Sequence, residues 1–397
     1  MTFAERVAAL RPTAVNRVLQ DAKQVHGDLV SLMRGQPDTP TPLHIVEAAE
    51  RALRDGRTGY PDNQGEPILR QAVAEKLMRD NDLSYDPNRE VLVTDGATAG
   101  VFAALAVLIG PGDEVLLPDP IYDAYASPIA IWGGRPIAVR SIIRAGRFVI
   151  EREALDAAVT PRSRVLLLNT PWNPTGTVLT RDECRTCMDF AAEKNLYVIS
   201  DEIYESLVYD GREHVSPATA PYARERTVLV NSLSKTYSMT GWRVGYCAGP
   251  EAIIRAMLLV LQQFSRGPAM FVQYAAAHAL GADQSCVRRM TEEFQGRRHR
   301  VVRALTGLPG VTPLVPEGGL FVMVDVRALG RPSEEARRFL LSEAGVVVIH
   351  GSAYGAGGEG TLRVSFAGGG AALEQGLDRL RNGLLRLGER QRGKAGA

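Results

Sequence analysis

The chain has 397 residues, a length that favours one large domain with a smaller partner, or two equal domains, over a single small domain. Hydrophobic residues make up 45% of it and charged residues 23%, which supports a full core and argues against bulk disorder. A formal net charge of +1 excludes the strongly basic surface that proteins use to bind nucleic acid or an anionic membrane.

Targeting and cysteine patterns favour a soluble, cytoplasmic protein. No run of about 18 apolar residues occurs, so no transmembrane helix is expected. The stretch 1–15 has scattered charges and lacks the apolar segment of a secretory signal. Four cysteines in a chain of this length do not make a disulfide framework.

Cys184 and Cys187 form a lone CxxC sequence. There is no second pair, and the six histidines lack ligand spacing, so no metal site is expected. A redox pair would normally open a helix after a strand. We therefore expect two cysteines on an ordinary helix, with a redox role as the weaker alternative.

From about residue 50 to residue 285, helix and strand patterns alternate along the chain. Apolar residues at spacings of three and four predict helices at 42–53 and 65–80. A short strand at 90–96 precedes a buried helix at 97–110. Further short apolar runs, with helices such as 181–195 between them, lie at 114–120, 164–171, 196–202 and 227–235.

This alternation predicts an α/β fold with a mostly parallel sheet covered on both faces. Ligands bind such sheets outside the carboxyl ends of the strands. The polar residues at those ends are candidates for a site: Asp95, Asn169, Asp201 and Ser232.

The pattern changes after about residue 290. A helix at 291–305 leads to strands at 318–326, 345–351 and 361–367 and then to a final helix, which is typical of a smaller α+β domain. Residues 1–48 are expected to pack with that domain. The predicted division is a large domain at 49–285 and a small domain made of 1–48 and 286–397.

The segment "NSLSKTYSMTGWRVGY" (231–246) contains Lys235 among hydroxyl residues, with Arg243 further on. A lysine in a serine-rich turn is usually a surface residue. Here it follows an apolar strand, and Ser232, Ser234 and Arg243 offer the hydroxyls and the bidentate cation that suit a phosphate monoester. An amine that is desolvated or placed near cations becomes a nucleophile. A reactive lysine beside a phosphate site suggests pyridoxal phosphate.

Three other segments fit that cofactor. "DGATAG" (95–100) opens a helix, so the backbone at Gly96 and Ala97 and the Thr98 hydroxyl can bind phosphate, although small residues also suit tight packing. Asp201 in "YVISDEIY" can pair with a protonated pyridine nitrogen. Asn173 in "NTPWNPTG" can donate to a ring oxygen, although this sequence also makes a plain turn.

Together these segments resemble the aspartate aminotransferase family, the fold-type I, class I and II pyridoxal-phosphate enzymes. The resemblance covers nearly the whole chain, in the order "RGQPDTPTP", "GRTGYPDNQGEPILR", "VTDGATAG", "PDPIYDAY", "NTPWNPTG", "SDEIYESLVYDG", "SLSKTYSMTGWRVGY", "PEGGLFVMVDV" and "TLRVSFA". It implies a large domain with a mostly parallel mixed sheet, a smaller α+β domain, and an aminotransferase that uses pyridoxal 5′-phosphate.

The resemblance also implies roles around the cofactor. Lys235 would hold it as an internal aldimine and later move a proton between Cα and C4′. Asp201 would bind the pyridine nitrogen, with Asn173 and Tyr204 on the phenolic oxygen, and Tyr122 would stack on the ring. The phosphate would lie among Gly96, Ala97, Thr98, Ser232, Ser234 and Arg243.

On the substrate side, Arg363 in "TLRVSF" matches the arginine that binds the substrate α-carboxylate, although a strand arginine is otherwise usually solvated. Tyr60 matches the tyrosine that reaches the neighbouring subunit's phosphate, which implies a homodimer with shared active sites. Arg34 precedes Gly35 where many relatives have an apolar residue facing the substrate; it would select an acidic group or point to solvent. Arg266 departs from the family pattern and would add to the neighbour's phosphate site.

Three alternative functions share some of these sequence features. "GAGGEG" (355–360) matches a dinucleotide-binding pattern but precedes a strand, so a flexible loop near the active-site mouth is expected instead. A transcription regulator on the same fold would carry a DNA-binding region ahead of "SLMRGQPD", and no nucleic-acid partner is expected. Within the family, an aminotransferase acting on an L-amino acid and a 2-oxo acid is favoured. An eliminating lyase or a decarboxylating or oxidatively deaminating enzyme remains the alternative.

Overall fold

A computed structural model describes residues 12–25 and 27–395, as well as Val7 and Leu10. Part of the predicted N-terminal segment (1–6, 8, 9, 11 and 26) therefore lies outside the described residues.

The described α-helices are α1 (Ala14–Gln24), α2 (Leu43–Arg54), α3 (Pro67–Asn81), α4 (Ala97–Leu108), α5 (Ala126–Ile131), α6 (Arg152–Ala158), α7 (Arg181–Glu193), α8 (Leu233–Thr236), α9 (Glu251–Leu261), α10 (Met270–Gly281), α11 (Ser285–Leu305), α12 (Ser333–Ala344) and α13 (Gly370–Ala395). The strands are β1 (Val30–Ser31), β2 (Val91–Thr94), β3 (Glu114–Asp119), β4 (Arg135–Arg140), β5 (Ile142–Arg144), β6 (Arg147–Val149), β7 (Ser163–Asn169), β8 (Tyr197–Asp201), β9 (Thr227–Ser232), β10 (Gly245–Ala248), β11 (Thr312–Leu314), β12 (Phe321–Asp325), β13 (Val346–Val347), β14 (Ile349–His350) and β15 (Thr361–Ser365).

A seven-stranded sheet forms the centre of the molecule, in the order β2-β10-β9-β8-β7-β3-β4. Strands β9, β8, β7, β3 and β4 run parallel, whereas β10 is antiparallel to both of its neighbours. The prediction of a mostly parallel α/β sheet is thus confirmed. The residues of β2, β3, β8, β9 and β10 are almost all buried, which explains why their sequences read as continuous apolar runs.

Helix α7 shows how local sequence fixes an element that covers this sheet. The Thr180 side chain accepts from the Glu183 N–H, and the Glu183 side chain accepts from the Thr180 N–H, which forms a capping box. Cys184 and Cys187 lie on the buried face of this helix. Burial raises the pKa of both thiols, that of Cys187 to about 12, so both stay protonated at neutral pH. They are core residues of an ordinary helix, as expected.

A second, four-stranded antiparallel sheet has the order β11-β12-β15-β14 and packs with α11, α12 and α13. Strand β1 pairs in parallel with β13, which joins the start of the chain to this C-terminal part. That pairing is consistent with the expected packing of the N-terminal segment. The domain boundaries at 49 and 285 remain predictions.

The segment 355–360 does not open an α-helix. Gly357 donates its N–H to Asp119 Oδ2 at 2.8 Å, and the chain then enters β15. A Cβ on Gly355 would lie 2.3 Å from Asp119 Oδ1, so the loop is packed closely against the end of β3 rather than standing free. No helix among the described residues is long and apolar enough to cross a bilayer.

The parallel register brings three strand ends to one edge of the sheet. Asn169 at the end of β7 lies beside Asp201 at the end of β8, and Asp201 lies beside Val230 of β9, two residues before Ser232. This edge carries the candidate site.

Candidate active site

A cavity opens at the carboxyl edge of the central sheet, and most predicted site residues line it. Those residues are Ala97, Thr98, Tyr122, Asn173, Asp201, Tyr204, Ser234, Lys235 and Arg243. They come from five separate segments of the chain, so the fold brings together what the sequence had only suggested.

Lys235 lies on the short helix α8, directly after β9. Its Nζ donates to the carbonyl oxygen of Gly35 at 2.8 Å. Burial, with smaller contributions from Arg243 and Arg363, lowers the pKa of this amine to about 8. The amine is therefore partly unprotonated near neutral pH, which is the state that attacks a carbonyl carbon.

Asp201 is a buried carboxylate at the end of β8. Its Oδ2 accepts from the Tyr125 hydroxyl at 2.6 Å, and its Oδ1 accepts from the Ile203 N–H at 3.3 Å. Within residues 27–395 no cationic side chain is bonded to it. Burial raises its pKa to about 6. An anion held in the core without a cation fits a ligand that brings a positive group, such as a protonated ring nitrogen.

Asn169 joins Asp201 to the loop that carries Asn173. The Asn169 side chain donates from Nδ2 to the Asp201 carbonyl at 2.9 Å and accepts from the Asn173 N–H at 2.7 Å. Asp201 and Asn173 both line the cavity. Their relative placement is thus set by one buried amide.

Another part of the cavity wall carries positive potential. Gly96, with φ +85°, caps the 12-residue helix α4, whose N-terminal N–H groups carry positive potential. The Arg243 guanidinium lies against Gly96 and donates to the carbonyls of Thr240 (2.9 Å) and Asp95 (3.2 Å). Arg243 remains exposed, so its remaining N–H groups can reach a phosphate.

The two serines of the predicted phosphate group differ in placement. Ser232 is buried, and its hydroxyl caps α8: it accepts from the Ser234 N–H and lies within bonding distance of Ser234 Oγ (2.8 Å) and the Val244 carbonyl (2.9 Å). Ser234 lines the cavity. Ser232 therefore shapes the turn from within, whereas Ser234 faces the ligand space.

Arg363 on β15 is buried beside the cavity. It donates to Asn173 Oδ1 at 3.1 Å and to the Met33 carbonyl at 2.9 Å, and its guanidinium lies 3.9 Å from the centre of the Phe321 ring. Its Nε is buried without a partner. A buried guanidinium with a free N–H fits a carboxylate ligand, since an unsatisfied buried donor is costly.

Four predicted residues lie at the edge of this arrangement or beyond it. Gly35 borders Lys235, and a Cβ there would lie 2.4 Å from Phe321, so only glycine fits. Arg34 is exposed and does not line the cavity. Tyr60 is 90% exposed and also lies outside it. Arg266 is exposed and donates to Asn63 Oδ1 at 3.4 Å.

Tyr125 and Asn169 are two cavity residues that the sequence analysis did not assign a role. The sequence makes Asn169 a candidate for the site because it ends a strand but gives it no specific role, and Tyr125 follows Tyr122 in "PDPIYDAY" without a distinguishing signal. Tyr204 was predicted; it is buried in the cavity wall, and burial raises the pKa of its phenol, which keeps it a neutral donor.

Among the residues that the structure describes, Glu202, Glu205 and His214 could together hold a metal ion. Glu205 is already paired with Lys76, and Glu202 accepts from His214 and from two serine hydroxyls. These contacts account for the group as a buried ion-pair network.

Comparison with known proteins gives consistent matches over nearly the whole chain. A family model for aminotransferase class I and II matches residues 27–380. An aromatic-amino-acid aminotransferase from Thermococcus litoralis is 37% identical over 382 residues, covering 96% of this chain and 97% of the relative. An aspartate aminotransferase from Pyrococcus abyssi matches at the same identity and coverage. The structure of an aspartate aminotransferase from Thermus thermophilus with maleate has a TM-score of 0.91 at 36% identity, covering 96% of this chain and 100% of that one.

Proposed function

The chain belongs to the class I and II aminotransferase family, and we propose that its cofactor is pyridoxal 5′-phosphate bound covalently to Lys235. As an aminotransferase it moves an amino group between an L-amino acid and a 2-oxo acid. The lyase and decarboxylase alternatives are not favoured by the relatives.

One observation carries the cofactor assignment. A partly buried lysine with a pKa lowered to about 8 shares its cavity with Asp201, a buried carboxylate without a bonded cation in the described chain. An anion site at Gly96 and Arg243 completes the same cavity. An aldehyde, a protonated ring nitrogen and a phosphate are the three groups that this set of residues suits.

Each residue then has a specific task. Asp201 would hold the protonated ring nitrogen, and Asn173 and Tyr204 would donate to the ring oxygen. Tyr122 would cover the ring face, while Gly96, Ala97, Thr98, Ser232, Ser234 and Arg243 would form the phosphate site, Ser232 by shaping its turn. When bound, the cofactor supplies an electron sink for the bond broken at Cα.

Lys235 and Arg363 would handle the substrate. Arg363 would bind the α-carboxylate through the Nε that has no partner in the protein, which orients Cα. The Lys235 amine would take the proton from the substrate Cα and return it at C4′. Its lowered pKa makes it a base near neutral pH.

The test has two readouts. Borohydride reduction followed by peptide mass spectrometry should find the pyridoxyl group on Lys235, and Lys235→Ala should retain none; covalent uptake by that variant would refute the assignment. Incubation with an amino acid but no 2-oxo acid should give stoichiometric conversion to the pyridoxamine form. Release of ammonia and pyruvate with an unchanged visible spectrum would instead show elimination.

The substrate side chain is a second question. The Thermus thermophilus structure, at 36% identity, is of an enzyme with maleate, a dicarboxylate, whereas a relative at 37% identity is named for aromatic amino acids. We propose that Arg34, which immediately precedes Gly35 at the lysine, favours acidic side chains. Arg34→Ile should raise the KM for aspartate at least about tenfold and leave the KM for phenylalanine unchanged. Tenfold corresponds to the loss of one ion pair that is desolvated on binding. An equal effect on both substrates would exclude this role.

We also propose a homodimer with shared active sites. Tyr60 is 90% exposed and lies outside the cavity of its own chain. Arg266 is also exposed and donates to Asn63, three residues after Tyr60. Both side chains are therefore available to a neighbouring subunit's phosphate. Light scattering should give twice the chain mass of 43.0 kDa. A monomer at micromolar concentration that still holds the cofactor would contradict the shared site.

A cytoplasmic location is proposed from the cysteines. All four are free, three of them buried, as is usual in a reducing compartment. Cell fractionation tests this, and recovery in a membrane or secreted fraction would contradict it.

A further inference from the structure

We propose that Tyr125 is a positioning residue for the cofactor: its hydroxyl orients the Asp201 carboxylate toward the ring nitrogen, and its ring braces Tyr122, which covers the ring face. The inference rests on the cofactor proposed above. It concerns a residue to which neither the sequence motifs nor the family comparison gives a role.

The hydrogen bond is the first support. The Tyr125 hydroxyl donates to Asp201 Oδ2 at 2.6 Å, and Tyr125 and Asp201 are 5% and 6% exposed. The other donor to this carboxylate is a backbone N–H, that of Ile203, at 3.3 Å on Oδ1. Tyr125 is therefore the one side chain in the described chain that is hydrogen-bonded to the Asp201 carboxylate, and by occupying Oδ2 it leaves Oδ1 as the freer oxygen for a cationic ligand.

The aromatic contact is the second support. The Tyr125 and Tyr122 rings meet edge to face, with centroids 5.2 Å apart and planes at 86°. The Tyr125 N–H also donates to the Tyr122 carbonyl at 3.1 Å. One residue thus connects the carboxylate at the ring nitrogen with the aromatic ring predicted to cover the cofactor.

The electrostatic consequence concerns the cofactor-free protein. Burial raises the pKa of Asp201 to about 6, and the Tyr125 hydroxyl opposes that rise by stabilising the anion. The other titratable groups that face Asp201 are Glu202, Tyr122, Tyr204 and Cys247. Without the Tyr125 hydroxyl, Asp201 takes up a proton at higher pH, and a neutral carboxyl does not pair with a cation.

The test compares Tyr125→Phe with Tyr209→Phe. Tyr209 is also buried and donates its hydroxyl to a backbone carbonyl, that of Gly319, at 2.5 Å outside the cavity. Both variants keep the ring and lose one buried hydroxyl. The dissociation constant of pyridoxal phosphate is measured by absorbance on the cofactor-free protein from about pH 5.5 to about pH 8.5, with the melting temperature as a check of folding.

Tyr125→Phe should bind the cofactor about tenfold more weakly at neutral pH, the worth of one hydrogen bond to a charged group. The pH at which its affinity falls on acidification should move up by about one unit. Tyr209→Phe should match the wild type in both. If Tyr125→Phe binds like Tyr209→Phe at every pH, the inference is wrong.

A double-variant cycle shows whether Tyr125 acts through Asp201. In an Asp201→Asn background, the further change Tyr125→Phe should weaken binding by less than about twofold. A full additive loss would mean that Tyr125 acts elsewhere. Failure of the wild type to bind pyridoxal phosphate would overturn the proposed function itself, whereas normal wild-type binding with an unaffected Tyr125→Phe would overturn this inference alone.

Discussion

Replacing Gly96 by alanine would place a methyl group against the guanidinium of Arg243. The added Cβ would lie 2.6 Å from Arg243 Nη2 and 3.2 Å from its Cζ, so the arginine must move. Gly96 also has φ +85° and ψ 171°, a conformation that almost only glycine adopts. The substitution therefore has a backbone effect and a side-chain effect, which can be separated.

The backbone effect should lower the free energy of unfolding by about 1–3 kcal/mol. The displaced arginine would lose the charge-assisted hydrogen bonds proposed to hold the phosphate, about 1.5–3 kcal/mol, which corresponds to a roughly 10- to 150-fold larger Kd for pyridoxal phosphate. Urea unfolding of the cofactor-free protein gives the first quantity, and an equilibrium titration with the cofactor gives the second.

Gly211→Ala is the matched control. Gly211 has φ +70°, and an added Cβ there would meet nothing within 4 Å. The Gly211→Ala variant should lose stability because alanine disfavours a positive φ, and it should keep the wild-type affinity for the cofactor. If folded Gly96→Ala binds pyridoxal phosphate within about threefold of the control, Arg243 does not hold the phosphate and the reasoning fails.

Three further predictions concern the amine and the buried polar contacts. Because the pKa of Lys235 is lowered to about 8, the rate of covalent cofactor attachment should rise with pH up to about pH 8 and then level off. Stopped-flow absorbance measures this rate. A rate that still rises at about pH 10 would show that the pKa of the amine is unperturbed. Asn169→Ala removes two buried side-chain hydrogen bonds and should lower the free energy of unfolding, measured in urea, by about 2–3 kcal/mol. A loss below about 0.5 kcal/mol would mean that this amide does not hold Asp201 and Asn173 together. Lys76→Met leaves Glu205 buried without its cation and should lower the free energy of unfolding by about 3–5 kcal/mol. Adding Glu205→Gln should recover much of that loss. An unchanged unfolding midpoint in the single variant would contradict this prediction.

Much of the central sheet and of the site could be predicted because the informative residues are local in sequence. Asp201 ends a buried strand, and Lys235 follows another, so the parallel pattern alone places both at one edge. The residues proposed to bind phosphate also stand out in the sequence, since Gly96 opens a helix and Arg243 follows the lysine closely.

Contacts between distant segments could not be read in the same way. Tyr125 donates to Asp201 across 76 positions, and nothing in its immediate sequence separates it from a core tyrosine. Strand β10 begins within the same sequence motif as the lysine. Its antiparallel direction depends on the path of the chain between β9 and β10, which the residues of the motif do not reveal. The capping role of Ser232 depends on the turn into α8, which competes with phosphate for the same hydroxyl.

The hydrogen bond from Lys235 to the Gly35 carbonyl makes residues 30–35 a reporter of occupancy. Strand β1 anchors this segment to β13 at one end, while the carbonyls of Met33 and Gly35 accept from Arg363 and Lys235 at the other. An aldehyde on the lysine would compete with the bond to Gly35, and a carboxylate on the free Nε of Arg363 would share the guanidinium that bonds Met33. Amide hydrogen exchange in 30–35 should therefore differ between the empty, cofactor-loaded and substrate-loaded protein, and identical exchange in all three would show that ligand binding leaves the segment unchanged.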